Sequence, residues 1–218
     1  MEQFRDRLDA GRALAEALHN YRGSDAHVLG LARGGVEVGF AVAEALLLPL
    51  HALVIRKLGA PNNPELAVGA VSETGREWLD RSLVLATGAT EDYLQREIAD
   101  QVAEAKRRQQ EYALGQGPAA VKGETAIVVD DGIATGASAL VAARSARDLE
   151  AQRVVLATPI ASRQAERLLR PEVDELVVLT TPDPFYAVGL HYEYFDQLSD
   201  RDVMRYLSEA HRREGVSQ

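Results

Sequence analysis

Asp130 and Asp131 stand side by side after the apolar run Ala126-Ile127-Val128-Val129, and Gly132-Ile133-Ala134-Thr135-Gly136-Ala137-Ser138 follows. The run has the length and apolarity of a buried strand, so both carboxylates fall at its carboxyl end, ahead of a small-residue turn and a helix. In open α/β sheets, ligands bind beyond the carboxyl ends of strands. The unpaired N–H groups of a helix start make such an end an anion site. Two carboxylates there can accept hydrogen bonds from a cis-diol, at roughly 1.5–3 kcal/mol for each well-formed charge-assisted bond. The turn can surround a phosphate on the same sugar with backbone N–H groups and the hydroxyls of Thr135 and Ser138. A helix cap by one aspartate is the plain alternative, but it accounts for only one of the two acids.

Three cations recur at neighbouring strand ends. Arg33-Gly34-Gly35 follows the short apolar segment His27–Ala32, and Arg56-Lys57 closes the next one, Ala52–Arg56. Taken alone, a glycine pair before a helix is packing and two basic residues are solvated surface. Beside the acid loop, their concentration in an acidic chain fits a polyanionic group such as pyrophosphate. Asn62-Asn63-Pro64-Glu65 lies in a run of turn formers and is either a surface loop or a lid that would exclude water. Six of the 12 aromatic residues come late: Phe185, Tyr186, Tyr192, Tyr194, Phe195 and Tyr206. They can stack on a planar base, for about 1–3 kcal/mol, or form a minor core; Phe185, Tyr186 and Tyr192 are the candidates nearest a ligand. His191 is equally compatible with a plain surface histidine.

These residues need a scaffold. The pattern predicts a helix over 2–20 with Phe4, Leu8, Leu14 and Leu18 inward, and a helix over Val36–Leu47 closed by Pro49. Further strands are expected at 67–72, 125–130, 153–158 and 175–180, and helices at 137–149 and 162–169. Residues 73–90 are open, with a hairpin around Thr74-Gly75. Thr90 is the N-cap of a helix that runs to Leu114 and stops at Gly115-Gln116-Gly117-Pro118. Its narrow stripe (Leu94, Ile98, Val102, Ala105) either projects from the core or meets another subunit. Alternating strands and helices imply an α/β fold: a mainly parallel twisted sheet with helices on both faces.

The 218 residues suit one domain. A net charge of −9 argues against a general nucleic-acid binder. The absence of cysteine excludes disulfides and thiol chemistry. The charged start lacks a signal core, and Glu44 and Pro49 break the apolar stretch near 40–50, so the expectation is a cytoplasmic protein without a membrane span.

The 129–138 stretch resembles the 5-phosphoribosyl 1-diphosphate (PRPP) loop of the type I phosphoribosyltransferases, and the resemblance covers roughly residues 25–200. It implies one phosphoribosyltransferase-like domain over 1–218, with a helical insertion at about 73–118 and a small C-terminal hood at about 181–210. It implies transfer of the 5-phosphoribosyl group from PRPP to a nitrogen acceptor, in the manner of nucleotide salvage, with release of pyrophosphate. By the same resemblance, Asp130 and Asp131 hold the ribose, Ala134, Thr135, Gly136, Ala137 and Ser138 the 5-phosphate, and Arg33, Gly34, Gly35, Arg56 and Lys57 the pyrophosphate. Phe185, Tyr186 and Tyr192 would hold the base. The implied cofactor is Mg2+, carried by PRPP, with Asp130 and Asp131 as its candidate protein ligands. The implied partners are PRPP and a small acceptor, with a homo-oligomer open. No catalytic side chain is assigned. The 6-oxopurine enzymes carry an aspartate at Ala134 and, in the hood, another at His191, which weakens a hypoxanthine–guanine assignment. The alternative is a PRPP-binding sensor or regulator without turnover; a PRPP synthetase is disfavoured because the chain lacks a duplicated half.

Overall fold

The computed structural model describes residues 3–113 and 117–214. Five strands form a parallel sheet in the order β2-β1-β6-β7-β8: β1 is His27–Leu31, β2 Leu50–Leu53, β6 Thr125–Val129, β7 Arg153–Ile160 and β8 Glu175–Thr180. Their side chains alternate between two buried faces, which is why the strands read as unbroken apolar runs. Val28, Ile127, Val129, Val155 and Ala157 face one cluster, shared with α1 (Arg7–Ala17), α2 (Gly34–Leu46) and α7 (Asp200–Glu214). Leu29, Leu31, Ala126, Val128, Val154 and Leu156 face the other, covered by α5 (Ala137–Asp148) and α6 (Arg163–Leu169).

The chain goes from β1 through α2 to β2 on one side, and from β6 through α5 to β7 on the other. The order therefore reverses between β1 and β6, and a crevice opens at their carboxyl ends. Arg33 and Asp130-Asp131 sit on its two lips.

The expected strand Ala52–Arg56 is two strands. β2 ends at Leu53, Val54 donates its N–H to Gln109 Oε1 at 3.0 Å, and β3 (Ile55–Ala60) starts a separate antiparallel sheet with β4 (Asn63–Ser72) and β5 (Glu77–Leu79). The 62–65 segment, expected as a loop, is thus largely strand, because Gly59 and Ala60 pair back onto Ala67 and Asn63. The turn around Thr74-Gly75 joins β4 to β5 and precedes α3 (Arg81–Thr87). The long helix α4 (Glu91–Tyr112) starts at the Thr90 cap as expected. Its stripe of Leu94, Ile98 and Val102 packs on the small sheet and Ala105 on the main core, so the stripe is covered within the chain. Its expected end at Leu114-Gly115-Gln116 lies outside the described residues.

The first helix starts at Arg7, where Asp6 caps it by accepting from Asp9 N at 2.8 Å, later than the expected start at residue 2, itself outside the described residues. Residues 4–5 instead pair with 191–194: Phe4 N donates to His191 O at 3.0 Å, and Glu193 N to Phe4 O at 2.8 Å. The N-terminus is therefore sewn to the aromatic C-terminal segment. Tyr206 is not part of that segment's surface; it packs in the main core against Phe40, centroids 5.2 Å apart. No helix among the described residues is long and apolar enough to cross a membrane.

At the edge of the sheet far from the crevice, His27 Nδ1 lies 3.1 Å from His51 Nε2. Burial, then the nearby His27 and His211, pushes His51 down to about 4. The unfolded chain then takes up this proton more readily than the folded one, so folding stability is lost as pH falls from 6.5 towards about 4. The His51 contribution to the slope should approach, and not exceed, about 1.4 kcal/mol per pH unit. Urea unfolding across this range should show it, and His51→Leu should flatten it; an equal slope in the variant would contradict the assignment.

Candidate functional site

The acid loop is held by its carbonyls. Tyr192 OH donates to Asp131 O at 2.5 Å, Ser162 N to Ile133 O at 2.9 Å, and Ser162 Oγ to Ala134 O at 2.5 Å. Ile133 is buried and donates its N–H to Ile160 O at 2.8 Å. Gly136, at φ +90, turns the chain into α5, a conformation glycine adopts without strain. With the carbonyls engaged, the N–H groups of Ala134 to Ser138 are left without partners among the described residues. They are the orphan donors of a helix start and suit an anion.

Each aspartate is half committed. Asp130 Oδ1 accepts from Asp131 N at 2.9 Å, and Asp131 Oδ2 accepts from Arg7 Nε at 2.7 Å. The second oxygen of each carries no bond among the described residues, so the pair can accept from two adjacent hydroxyls. Burial, then the Asp131 charge, holds Asp130 well above the usual carboxylate range, while Lys57 and Arg7 oppose. Burial also raises Asp131, with Arg7 as the main opposing influence. Two buried neighbours resist sharing two charges, and Asp130 is the more easily protonated.

A cavity of about 330 Å3 joins much of what the sequence singled out. Its walls carry Asp130, Asp131, Ala134, Thr135, Gly136 and Ser138 on one side and Arg33, Gly34 and Lys57 on the other. Arg33 and Lys57 have no ion pair among the described residues, so both charges are available to a ligand. A second cavity of about 290 Å3 adjoins it and shares Arg33, Gly34, Asp131 and Phe195.

Other expected residues lie elsewhere. Successive residues of a strand face opposite ways, so Lys57 faces the cavity and Arg56 turns to α4, where its Nε donates to Gln101 Oε1 at 2.9 Å. Gly35 and Ala137 are buried and do not line the cavity. The two glycines serve close approach: a Cβ on Gly34 would fall 1.9 Å from Asp131 Oδ2, and one on Gly35 2.4 Å from Val129 O. Tyr192 cannot stack on a base; it is 4% exposed and supports the loop from beneath. Phe185 packs beside His191, and Tyr186 is turned out at 77% exposure. In their place Val188 and Phe195 line the cavity. Asp130 and Asp131 are the acidic side chains on the cavity wall, and among the described residues no group of three or more His, Asp or Glu could hold a metal ion.

The residue that pattern reading passed over is Arg7. It is 7% exposed and touches Asp131, Asp196 O at 2.9 Å, Glu37 at 3.7 Å and the Phe195 ring at 3.9 Å. Its signal was a cation on the inward stripe of Ala10, Leu14 and Leu18, where a charge is buried only with a partner.

A family model described as phosphoribosyl transferase domain matches residues 2–194. The chain belongs to the phosphoribosyl transferase family. Two Mycobacterium tuberculosis proteins that carry the provisional name phosphoribosyl transferase are each 44% identical over 97% of this chain. The chain spans about half the length of these curated relatives, 48%. A crystal structure from Thermus thermophilus superposes with a TM-score of 0.74 at 39% identity, covering 95% of this chain and 98% of its own. A hypothetical protein from Neisseria gonorrhoeae, solved with bound ppGpp, shares the fold at a TM-score of 0.52 and 15% identity, covering 96% and 98%.

Gly34→Ala should drive the new methyl into the Asp131 carboxylate and break its geometry with Arg7. Overpacking of this kind costs about 1–3 kcal/mol. Thermal melting should fall accordingly; a variant as stable as the natural protein, with Asp131 unmoved in its crystal structure, would contradict the close approach.

Proposed function

We propose that the protein is a phosphoribosyltransferase that moves the 5-phosphoribosyl group of PRPP to a nitrogen acceptor, most simply a nucleobase, and releases pyrophosphate. The observation that carries this reading is the pair of half-committed carboxylates beside a turn whose N–H groups have no partner among the described residues, on the wall of a cavity that Arg33 and Lys57 also line. That is the polarity pattern of a sugar bearing a diol, a phosphate and a second anionic group. Membership of the phosphoribosyl transferase family supports it.

In this reading Asp130 and Asp131 accept from the ribose hydroxyls, and the 134–138 turn with Thr135 and Ser138 holds the 5-phosphate. Arg33 and Lys57 face the pyrophosphate. The acceptor's nitrogen lone pair forms the bond to C1 as the C1–O bond to pyrophosphate breaks, and the nitrogen's proton leaves to solvent. The protein contributes positioning and charge stabilisation. Mg2+ would offset leaving-group charge, and Asp130 and Asp131 are the acidic side chains of the cavity wall that would hold it. Val188 and Phe195 would bound the acceptor side.

A second reading, a PRPP-binding sensor without turnover, is favoured by two features. The turn offers no acid at Ala134, and Val188 lies so close to Gly132 that a Cβ there would fall 2.3 Å from it, which narrows the acceptor side. Purified protein with magnesium, PRPP and a broad panel of bases and amines should release pyrophosphate in an acceptor-dependent way; PRPP binding with no release would select the sensor. Asp130→Asn and Asp131→Asn should each weaken PRPP by about tenfold or more under either reading, from loss of a charge-assisted bond. Unchanged affinity, measured by calorimetry, would remove the sugar site altogether.

A further inference from the structure

We propose that Arg7 is a positioning residue that couples the C-terminal hood to the sugar-binding carboxylates: it aims Asp131 at the cavity and passes the arrival of a sugar there to residues 195–198. The inference rests on the sugar-site reading above and adds a connection that reading does not contain.

Arg7 touches the acid loop, the hood and α2 together. Its Nε donates to Asp131 Oδ2 at 2.7 Å, its NH1 to Asp196 O at 2.9 Å, and its guanidinium lies 3.9 Å from the Phe195 ring centre. NH1 also approaches Glu37 Oε2 at 3.7 Å, and that carboxylate accepts from Tyr206 OH at 2.6 Å. The planar fork of arginine can satisfy such separated acceptors in one plane, whereas the compact ammonium of lysine cannot. Phe195 is the other half of the connection: it stacks on Tyr192, centroids 4.9 Å apart, and lines both cavities. A hydroxyl bound to the free oxygen of Asp131 fixes the carboxylate plane. That fixes Arg7, and through it the Asp196 carbonyl and the Phe195 ring that bounds the acceptor side.

The pairing of residues 4–5 with 191–194 places Arg7 there, as the first residue of α1. Gly34 leaves the room, since a Cβ would meet Asp131 Oδ2 at 1.9 Å and Arg7 Nε at 3.1 Å. The titratable and charged groups that face Asp131 are Arg7 from α1, Asp130 beside it, Lys57 from β3, Arg33 before α2, Glu37 through Arg7, and Tyr192 from the hood. Among the described residues, Arg7 is the one that bonds directly to a side-chain oxygen of Asp131.

The test uses the full chain and ribose 5-phosphate, which carries the diol and the phosphate but no pyrophosphate. Binding is followed by calorimetry at neutral pH, and backbone hydrogen exchange is read over residues 193–198. The natural protein should bind the probe and gain protection over 193–198. Arg7→Gln should bind it at least about tenfold more weakly. Inorganic phosphate, which needs only the 134–138 turn, should bind both proteins alike. Arg7→Lys retains the charge, so it should bind the probe and lose the ligand-induced protection. If Arg7→Gln fails to fold, the lysine variant decides. Protection that persists in Arg7→Lys, or probe binding undiminished in folded Arg7→Gln, overturns the coupling alone. A natural protein that does not bind ribose 5-phosphate overturns the sugar-site reading and the coupling with it.

Discussion

The site depends on keeping two adjacent carboxylates at the end of a buried strand. Left unpaired there, a carboxylate shifts its pKa and neutralises, because desolvation penalises the charged form. The chain answers from two sides. Arg7 reaches Asp131 from the first helix at 2.7 Å, and Lys57 offsets both acids from the small sheet. Hydrogen bonds use up one oxygen of each acid and leave the other for a ligand. Much of the remaining architecture can be understood as what brings these two cations to that place. The separate β3–β4–β5 sheet carries Lys57, and the pairing of residues 4–5 with 191–194 carries Arg7.

The parallel sheet supplies the location. Because connections leave β1 and β6 in opposite directions, a crevice opens between their carboxyl ends. Close packing across it is set by two residues without side chains: Gly34 and Gly35 bring the start of α2 against the acid loop, nearer than any Cβ would allow. These glycines are thus explained by contact within the protein as much as by room for a phosphate. The same economy marks the loop, whose carbonyls are tied to Tyr192, Ser162 and their neighbours so that its N–H groups stay open.

What was legible in the sequence follows the range of the forces involved. The strand at Ala126–Val129, the turn at Gly136 and the cap at Thr90 are set by residues near in sequence, and each stands where the pattern puts it. The split of the segment after Ala52 was not legible, because Val54 leaves the sheet to bond Gln109 on a helix 55 residues away. Arg56 and Lys57 looked equivalent as a dipeptide, yet strand alternation lets only Lys57 face the cavity. Tyr192 read as a ring for a base and is a buttress, since its hydroxyl is taken by the Asp131 carbonyl. Arg7 carried a signal, a cation on an apolar stripe, but its partner lies 124 residues on and no local pattern names it.

The most direct test of the whole account is a crystal structure of the protein soaked with PRPP. The account predicts density for the sugar with its two hydroxyls on the free oxygens of Asp130 and Asp131 and its 5-phosphate in the 134–138 turn. Density for the ligand anywhere else, or a filled turn with both carboxylates still facing only protein, would contradict it.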